Sequence, residues 1–238
     1  MRIKDNKKII GVLGGMGPQA SIYLYKMLIE LSGTCFGAKN NDDFPEIIIY
    51  STPVPDFISS CSRRKIAFKM LKQRVIKLNN FNVLYFAIAC NTAHILIEQL
   101  QNVSKAPFLS IIDEVVKKVN GDKINKVGLL ATPSTIKYSL YQKALKKRGI
   151  NTVFPNKKEQ SFTEKAIRNV LRGKILKSDR EKLIIIANSL KKRRAKGVVL
   201  GCTELPLVFP RKYSLPVYDS VKILAMALLQ KYYKQNTI

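Results

Sequence analysis

Histidine is nearly missing from this chain. His94 is the single example, which argues against the His-rich ligand sets that hold zinc and most other transition metals. Cys90-x-x-x-His94 alone is too small a set, so no metal site is expected. No apolar run approaches the ~18 residues a membrane span requires, and the Lys-rich start leads into a short strand rather than a signal-peptide core. A cytoplasmic protein with no membrane partner is expected. In that compartment the four cysteines stay reduced, and their even number makes no case for disulfides. Cys35 and Cys61 lie in no recognisable motif and read as packing or loop residues.

Nucleotide signatures are incomplete as well. Gly15-Met16-Gly17-Pro18-Gln19-Ala20 formally fits the dinucleotide fingerprint. The second apolar segment, however, runs from Glu46 into Ser51-Thr52-Pro53, where a ribose-holding acid should stand. No lysine sits in a phosphate-loop pattern. No cofactor is expected.

Acidic residues are few, 16 Asp and Glu against 42 Lys and Arg, which leaves a formal net charge of +26. Such a chain attracts polyanions, and the stretches Lys143–Gly149 and Ser189–Gly197 are dense in cations. Both close predicted helices and precede a glycine, where cations suit the helix dipole and glycine takes the cap. The other basic residues are scattered and not interleaved with aromatics. The charge therefore reads as a solvated surface, and nucleic acid is not expected as a partner.

What the chain does contain is an alternation of strand and helix. Pro18 opens a predicted helix through about Leu31, and Glu46–Pro53 forms a second strand. The helix after Ser62 carries Ala67, Leu71, Val75 and Leu78 on one face. Ser178-x-x-Glu181 reads as a capping box for a helix that Gly197 stops, and Asp219 or Ser220 caps the last helix. Continuous apolar strands between helices predict an α/β fold with mainly parallel sheets covered on both faces.

Two cysteines stand in matching contexts. Val83–His94 reads VLYFAIACNTAH and Gly197–Pro206 reads GVVLGCTELP, each an apolar strand, a small residue, the cysteine, a polar pair and a helix start. Upstream, Ile9–Ser21 and Lys126–Ile136 share a strand, a small-residue turn and a Pro. The chain thus reads as two similar α/β domains related by a pseudo-twofold axis, 1–105 plus 216–238 with Cys90 and 106–215 with Cys202. Each thiol would sit at a strand's carboxyl end, in the interdomain cleft, where open α/β sheets hold ligands.

Two opposed thiols suit the inversion of a carbon acid. One thiolate removes the α-proton from one face and the other thiol delivers a proton to the opposite face. An unperturbed thiol pKa of ~8.5 lets the group cycle near neutral pH, and helix N-termini after both cysteines are expected to lower it. Cys90 and His94 could instead form a nucleophile–base dyad, which leaves Cys202 without a role.

GVLGGMGPQAS, ACNTAH and GCTELPLV resemble the corresponding blocks of the aspartate/glutamate racemase superfamily, in particular its aspartate racemase and broad-specificity amino-acid racemase branch. The resemblance covers nearly the whole chain. It implies a homodimer that works on an amino acid without pyridoxal phosphate or metal. In that role Cys202 takes the α-proton of the L-substrate and Cys90 that of the D-substrate. It further implies that Met16, Asn91, Thr92, Ala93, Thr132 and Thr203 line the substrate, with Glu204 and Arg172 in support. From the residues alone the three threonines read equally as turn or cap residues, Met16 as packing, and Glu204 as a helix-end residue.

Two departures bear on the substrate. Aspartate racemases read Val-Pro-Asp-Arg where this chain has Val54-Pro55-Asp56-Phe57, and Leu171 occupies a position they give to lysine. Losing both cations removes charge-assisted hydrogen bonds worth about 1.5–3 kcal/mol each, so a neutral amino acid becomes an open choice. Related carbon-acid chemistry, such as hydantoin racemisation, decarboxylation or isomerisation, would use the same frame. So would an inactive small-molecule-binding member.

Overall fold

The computed structural model describes residues 8–56 and 62–236. Its first half runs β1 (Ile9–Gly14), α1 (Pro18–Phe36), β2 (Ile47–Ser51), α2 (Arg64–Leu78), β3 (Val83–Ile88), α3 (Ile97–Gln101), β4 (Phe108–Leu109) and α4 (Ile111–Gly121). The second half runs β5 (Lys126–Ala131), α5 (Pro133–Lys137), α6 (Leu140–Lys146), β6 (Asn151–Val153), α7 (Lys157–Leu171), α8 (Lys177–Lys192), β7 (Val198–Gly201), α9 (Leu205–Val208), β8 (Val217–Asp219) and α10 (Ser220–Asn236).

The strands form two four-stranded sheets, ordered β2-β1-β3-β4 and β6-β5-β7-β8, with every pair parallel. The second sheet repeats the strand order of the first. β1 and β7 are buried throughout, as strands covered on both faces must be, and this explains their unbroken apolar sequences. The α2 face that the spacing predicts, Ala67, Leu71, Val75 and Leu78, is the buried face. These residues join Leu13, Phe86 and Ile88 beneath the first sheet, while Ile167, Leu183 and Leu190 of α7 and α8 cover the second with Leu200. Between the sheets, one continuous cluster of buried side chains runs from Ile10 and Val12 through Leu24, Val115 and Leu224 to Val127 and Leu129. Helices α1, α4 and α10 form that shared layer.

Local signals account for several helix starts. Pro18 stands at the first position of α1, Ser110 Oγ accepts the Asp113 N–H at the start of α4, and Asp219 Oδ1 accepts the N–H groups of Val221 and Lys222 at the start of α10. The expected Ser178/Glu181 capping box does not form. Helix α8 begins at Lys177 behind Leu176, and the carboxylate in its first turn, Asp179, is buried and accepts from Asn169 Nδ2 at 2.7 Å. The capping box in this region is at α7, where Asn156 and Glu159 exchange hydrogen bonds of 2.9 and 2.7 Å. Gly197 does not close α8 either, because Arg194 takes the left-handed position with φ 66°.

Strand pairing also departs from the expected division of the chain. β4 falls after residue 106 yet bonds to β3 in the first sheet, and β8 falls after residue 216 yet bonds to β7 in the second. Both are short strands whose register depends on neighbours distant in sequence, which composition does not reveal. Among the described residues no helix is long and apolar enough to cross a membrane.

Candidate active site

β3 and β7 hold equivalent places in their sheets, and each leads into a cysteine just past its carboxyl end. Cys90 and Cys202 are 8% and 5% exposed and both line one cavity of about 250 Å³. Both halves build its wall. The turn after β1 supplies Met16 and Gly17, the segment after β2 supplies Pro53 to Asp56, the end of α7 supplies Leu171, and the turn after β7 supplies Thr203 and Glu204. A larger groove of about 730 Å³ between α4, β8 and α10 contains neither cysteine.

Glu204 ties the site together. Its Oε2 accepts from the Cys202 thiol at 3.0 Å and from the Thr203 hydroxyl at 3.2 Å, and its Oε1 accepts the Gly17 N–H of the opposite half at 3.2 Å. Burial pushes the Glu204 carboxyl above its ordinary range, and the three donors pull it back. The Cys202 thiol is raised well above its usual value by burial first, then by the Glu204 charge, with Cys90 adding to the same effect. The expected lowering by a following helix is not seen at Cys202. Only the four residues of α9 follow it, and burial beside a carboxylate outweighs their dipole. In the resting site the proton lies on the thiol and the carboxylate accepts it.

Next to Cys90, hydroxyls bridge the halves. Thr92 Oγ1 lies 3.0 Å from Thr132 Oγ1 and 2.9 Å from Thr135 Oγ1, and Thr132 donates to Thr135 at 3.0 Å. Thr132 also caps α5 by accepting the Thr135 N–H, so one side chain serves as both cap and cavity wall. Asn91 is held from behind, with Oδ1 accepting from the Tyr141 hydroxyl and Nδ2 donating to Ser220 Oγ at 3.2 Å.

His94 is no base for Cys90. The Ile111 N–H donates to its Nε2 at 3.1 Å, so Nδ1 carries the proton and donates to the Cys90 carbonyl oxygen at 2.9 Å. Burial lowers its pKa from 6.5 to about 4, which keeps the ring neutral. The imidazole therefore fastens the turn after β3 to the start of α4, and the dyad reading fails.

Residues 13–228 match the Asp/Glu/Hydantoin racemase family. The chain belongs to that family. It is 27% identical over 225 residues to the broad-specificity amino-acid racemase RacX of Bacillus subtilis, covering 94% of this chain and 98% of that protein. Among solved structures, Picrophilus torridus aspartate racemase superposes with a TM-score of 0.83 at 29% identity over 94% of each chain. An aspartate racemase homologue from Pyrococcus horikoshii gives 0.80 at 30% identity, over 94% of this chain and 99% of that one.

Within this racemase-family frame, Met16, Asn91, Thr92, Thr132, Thr203 and Glu204 all line the cavity with the two cysteines. Ala93 does not; it is fully buried in the core behind Cys90. Arg172 is exposed at the C-cap of α7 and does not line the cavity, while its neighbour Leu171 does. Phe57 lies outside the described residues. Thr135, Tyr141 and Ser220 were not legible as site residues; only Thr135, one turn beyond the cap Thr132, carried a local signal. Among the described residues no group of three or more His, Cys, Asp and Glu side chains is placed to hold a metal ion.

Proposed function

We propose that the protein is an amino-acid racemase that inverts the α-carbon with two cysteines. The observation that supports this reading best is the pair of thiols at equivalent strand ends, one from each half, facing a single small cavity. At about 250 Å³ the cavity lies below the ~300–1,000 Å³ of drug-sized sites and suits a molecule as small as an amino acid. In the L-to-D direction, Glu204 receives the Cys202 proton and the resulting thiolate removes the α-proton. The C–H electron pair passes into the carboxylate as the carbanion forms, and the Cys90 thiol gives its proton to the opposite face. Turnover leaves Cys90 as the thiolate and Glu204 protonated; this form takes the D-isomer with the two thiols' roles exchanged, and proton exchange with solvent restores the resting form. The α-ammonium group of a bound substrate offsets the carboxylate charge that keeps Cys202 protonated. The Thr92 hydroxyl, which either donates or accepts within the threonine cluster, is placed to donate to the carboxylate as its charge grows.

The substrate side chain is neutral in this reading. Met16, Val54, Pro55 and Leu171 supply apolar wall, and apart from the thiols the ionisable groups among the described lining residues are the carboxyls of Asp56 and Glu204. Asp56 is paired with Arg168 at 3.5 Å, so the like charge a second anion would meet in this space is chiefly that of Glu204. Separate L-amino acids incubated with reduced protein in deuterated water should gain α-deuterium and yield D-isomer. Cys90→Ala and Cys202→Ala should each abolish turnover. Exchange that survives either substitution sinks the two-thiol scheme, and exchange only with a cyclic hydantoin moves the reading to that branch of the family.

A further inference from the structure

The edge of the second sheet farthest from the cavity brings together the cation-dense stretches that lie apart in the sequence. Because the sheet is parallel, α4, α6 and α8 all deliver their C-termini to the amino ends of β5, β6 and β7. These three strands are neighbours about 4.8 Å apart, so their incoming connections adjoin. The Lys196 N–H donates to the Lys126 carbonyl at 2.9 Å, and the Asn151 N–H to the Asn125 carbonyl at 2.9 Å. The connections bring Lys123 and Lys126, then Lys146-Lys147-Arg148, then five cations among the six residues Lys191–Lys196. All except Lys126 are exposed. The nearby acids are already engaged, Asp122 by Lys118 at 2.7 Å and Glu159 by Arg193 at 3.3 Å. Three helix C-termini contribute only about half a negative charge each. The strip stays strongly positive.

A second observation concerns the backbone. All three connections close their helices in the same way, with a left-handed residue followed by an N–H that returns to the last turn: Ile124 to Val119 at 3.3 Å, Ile150 to Leu145 at 3.0 Å and Ala195 to Leu190 at 3.1 Å. That position favours glycine, since a side chain there is strained. Gly149 obeys the rule with φ 71°, but the other two positions are Lys123 with φ 56° and Arg194 with φ 66°. Cations occupy two of three positions where the backbone prefers none.

We propose that this edge binds the phosphate backbone of duplex nucleic acid without reading its sequence. Aromatic side chains for stacking single-stranded bases are missing from the three connections. None of the exposed large apolar residues, such as Ile22, Ile66 or Ile185, lies in them to enter a bilayer. What remains is a strip of exposed cations suited to a rod of phosphates.

The test is anisotropy of labelled DNA and RNA duplexes of about 20 base pairs, titrated between ~50 and ~200 mM salt. Both duplexes should bind, with affinity falling steeply with salt. The double variant Lys123→Gly/Arg194→Gly should melt no lower than the parent, because glycine suits both positions, and should retain α-proton exchange. It should bind about eightfold more weakly per cation at ~0.1 M salt, with the log–log salt slope reduced by about 1.8. Lys69→Gln/Lys77→Gln on α2 serves as the charge-matched control and should change binding little. No duplex binding at ~50 mM salt, equal losses in both double variants, or binding to phosphatidylserine vesicles that duplex cannot displace would each overturn the proposal.

Discussion

Acid should weaken the fold through one imidazole. His94 titrates near 6.5 when unfolded and at about 4 in the buried site, so between these values the unfolded chain binds a proton that the folded chain refuses. The contribution is absent at pH 7. As pH falls through 6.5 the unfolded state gains stability, and the loss levels off below about 4. At about 1.4 kcal/mol per pH unit of difference, the total approaches about 3 kcal/mol, of which about 2 kcal/mol is reached by pH ~5. Urea unfolding of the parent and of His94→Gln, measured in parallel from pH 7 to pH ~4.5, isolates this one group because carboxylate effects are common to both proteins. The parent should lose about 2–3 kcal/mol more than the variant over that range. At pH 7 the variant should be the less stable, since glutamine cannot both donate to the Cys90 carbonyl and accept the Ile111 N–H in the same geometry. Parallel pH curves would refute the neutral, buried staple.

Three further changes probe the cavity. Glu204→Gln removes the charge that disfavours the Cys202 thiolate and also the acceptor for its proton. Turnover from the L-isomer should fall on the order of a hundredfold or more, while the pH midpoint of Cys202 alkylation moves down; a fall in both reactivities would mean that Glu204 only supports the fold. Leu171→Lys places a cation in an apolar wall, so exchange with L-aspartate relative to a neutral amino acid should rise at least about tenfold, and an unchanged ratio would show that the substrate side chain points elsewhere. Thr92→Val keeps the shape but breaks the three-hydroxyl bridge, and its kcat should drop about 10–100-fold; a change confined to KM would assign Thr92 to ground-state binding.

Much of this was readable in the amino-acid string because it depends on local periodicity. The unbroken apolar strands β1 and β7, Pro18 at a helix start and the α2 face through Leu71 and Val75 are each decided within a few residues. The paired cysteines were readable for a related reason, since a strand, a small residue and a turn place the next side chain at a sheet's carboxyl end. What was hidden depends on partners far away in the chain. Asn91 is set by Tyr141 and Ser220, and Glu204 by Gly17, and no spacing rule connects those pairs. The direction of the Cys202 shift was misjudged because a helix N-terminus is visible in sequence and burial beside a carboxylate is not. The Ser178 capping box failed because the neighbouring Asp179 is drawn inward to Asn169, which only the packing of α7 on α8 reveals.

The layer of α1, α4 and α10 between the sheets has a further consequence for how such a site can change over evolutionary time. Its side chains link the two sheets, α1 packing on the first, α10 on the second and the two helices on each other, so that Leu24 and Leu224 belong to the same cluster as Val12 and Val127. That layer sets how far apart the ends of β3 and β7 stand, and thereby the gap into which an α-carbon must fit. A displacement of about 1 Å between reacting groups can cost a hundredfold in rate. Residues in the middle of those helices, with no view of the cavity, are thus in a position to tune turnover as strongly as those in its wall. Drift in reaction rate within such a scaffold should be sought in its helical seam as well as at its thiols.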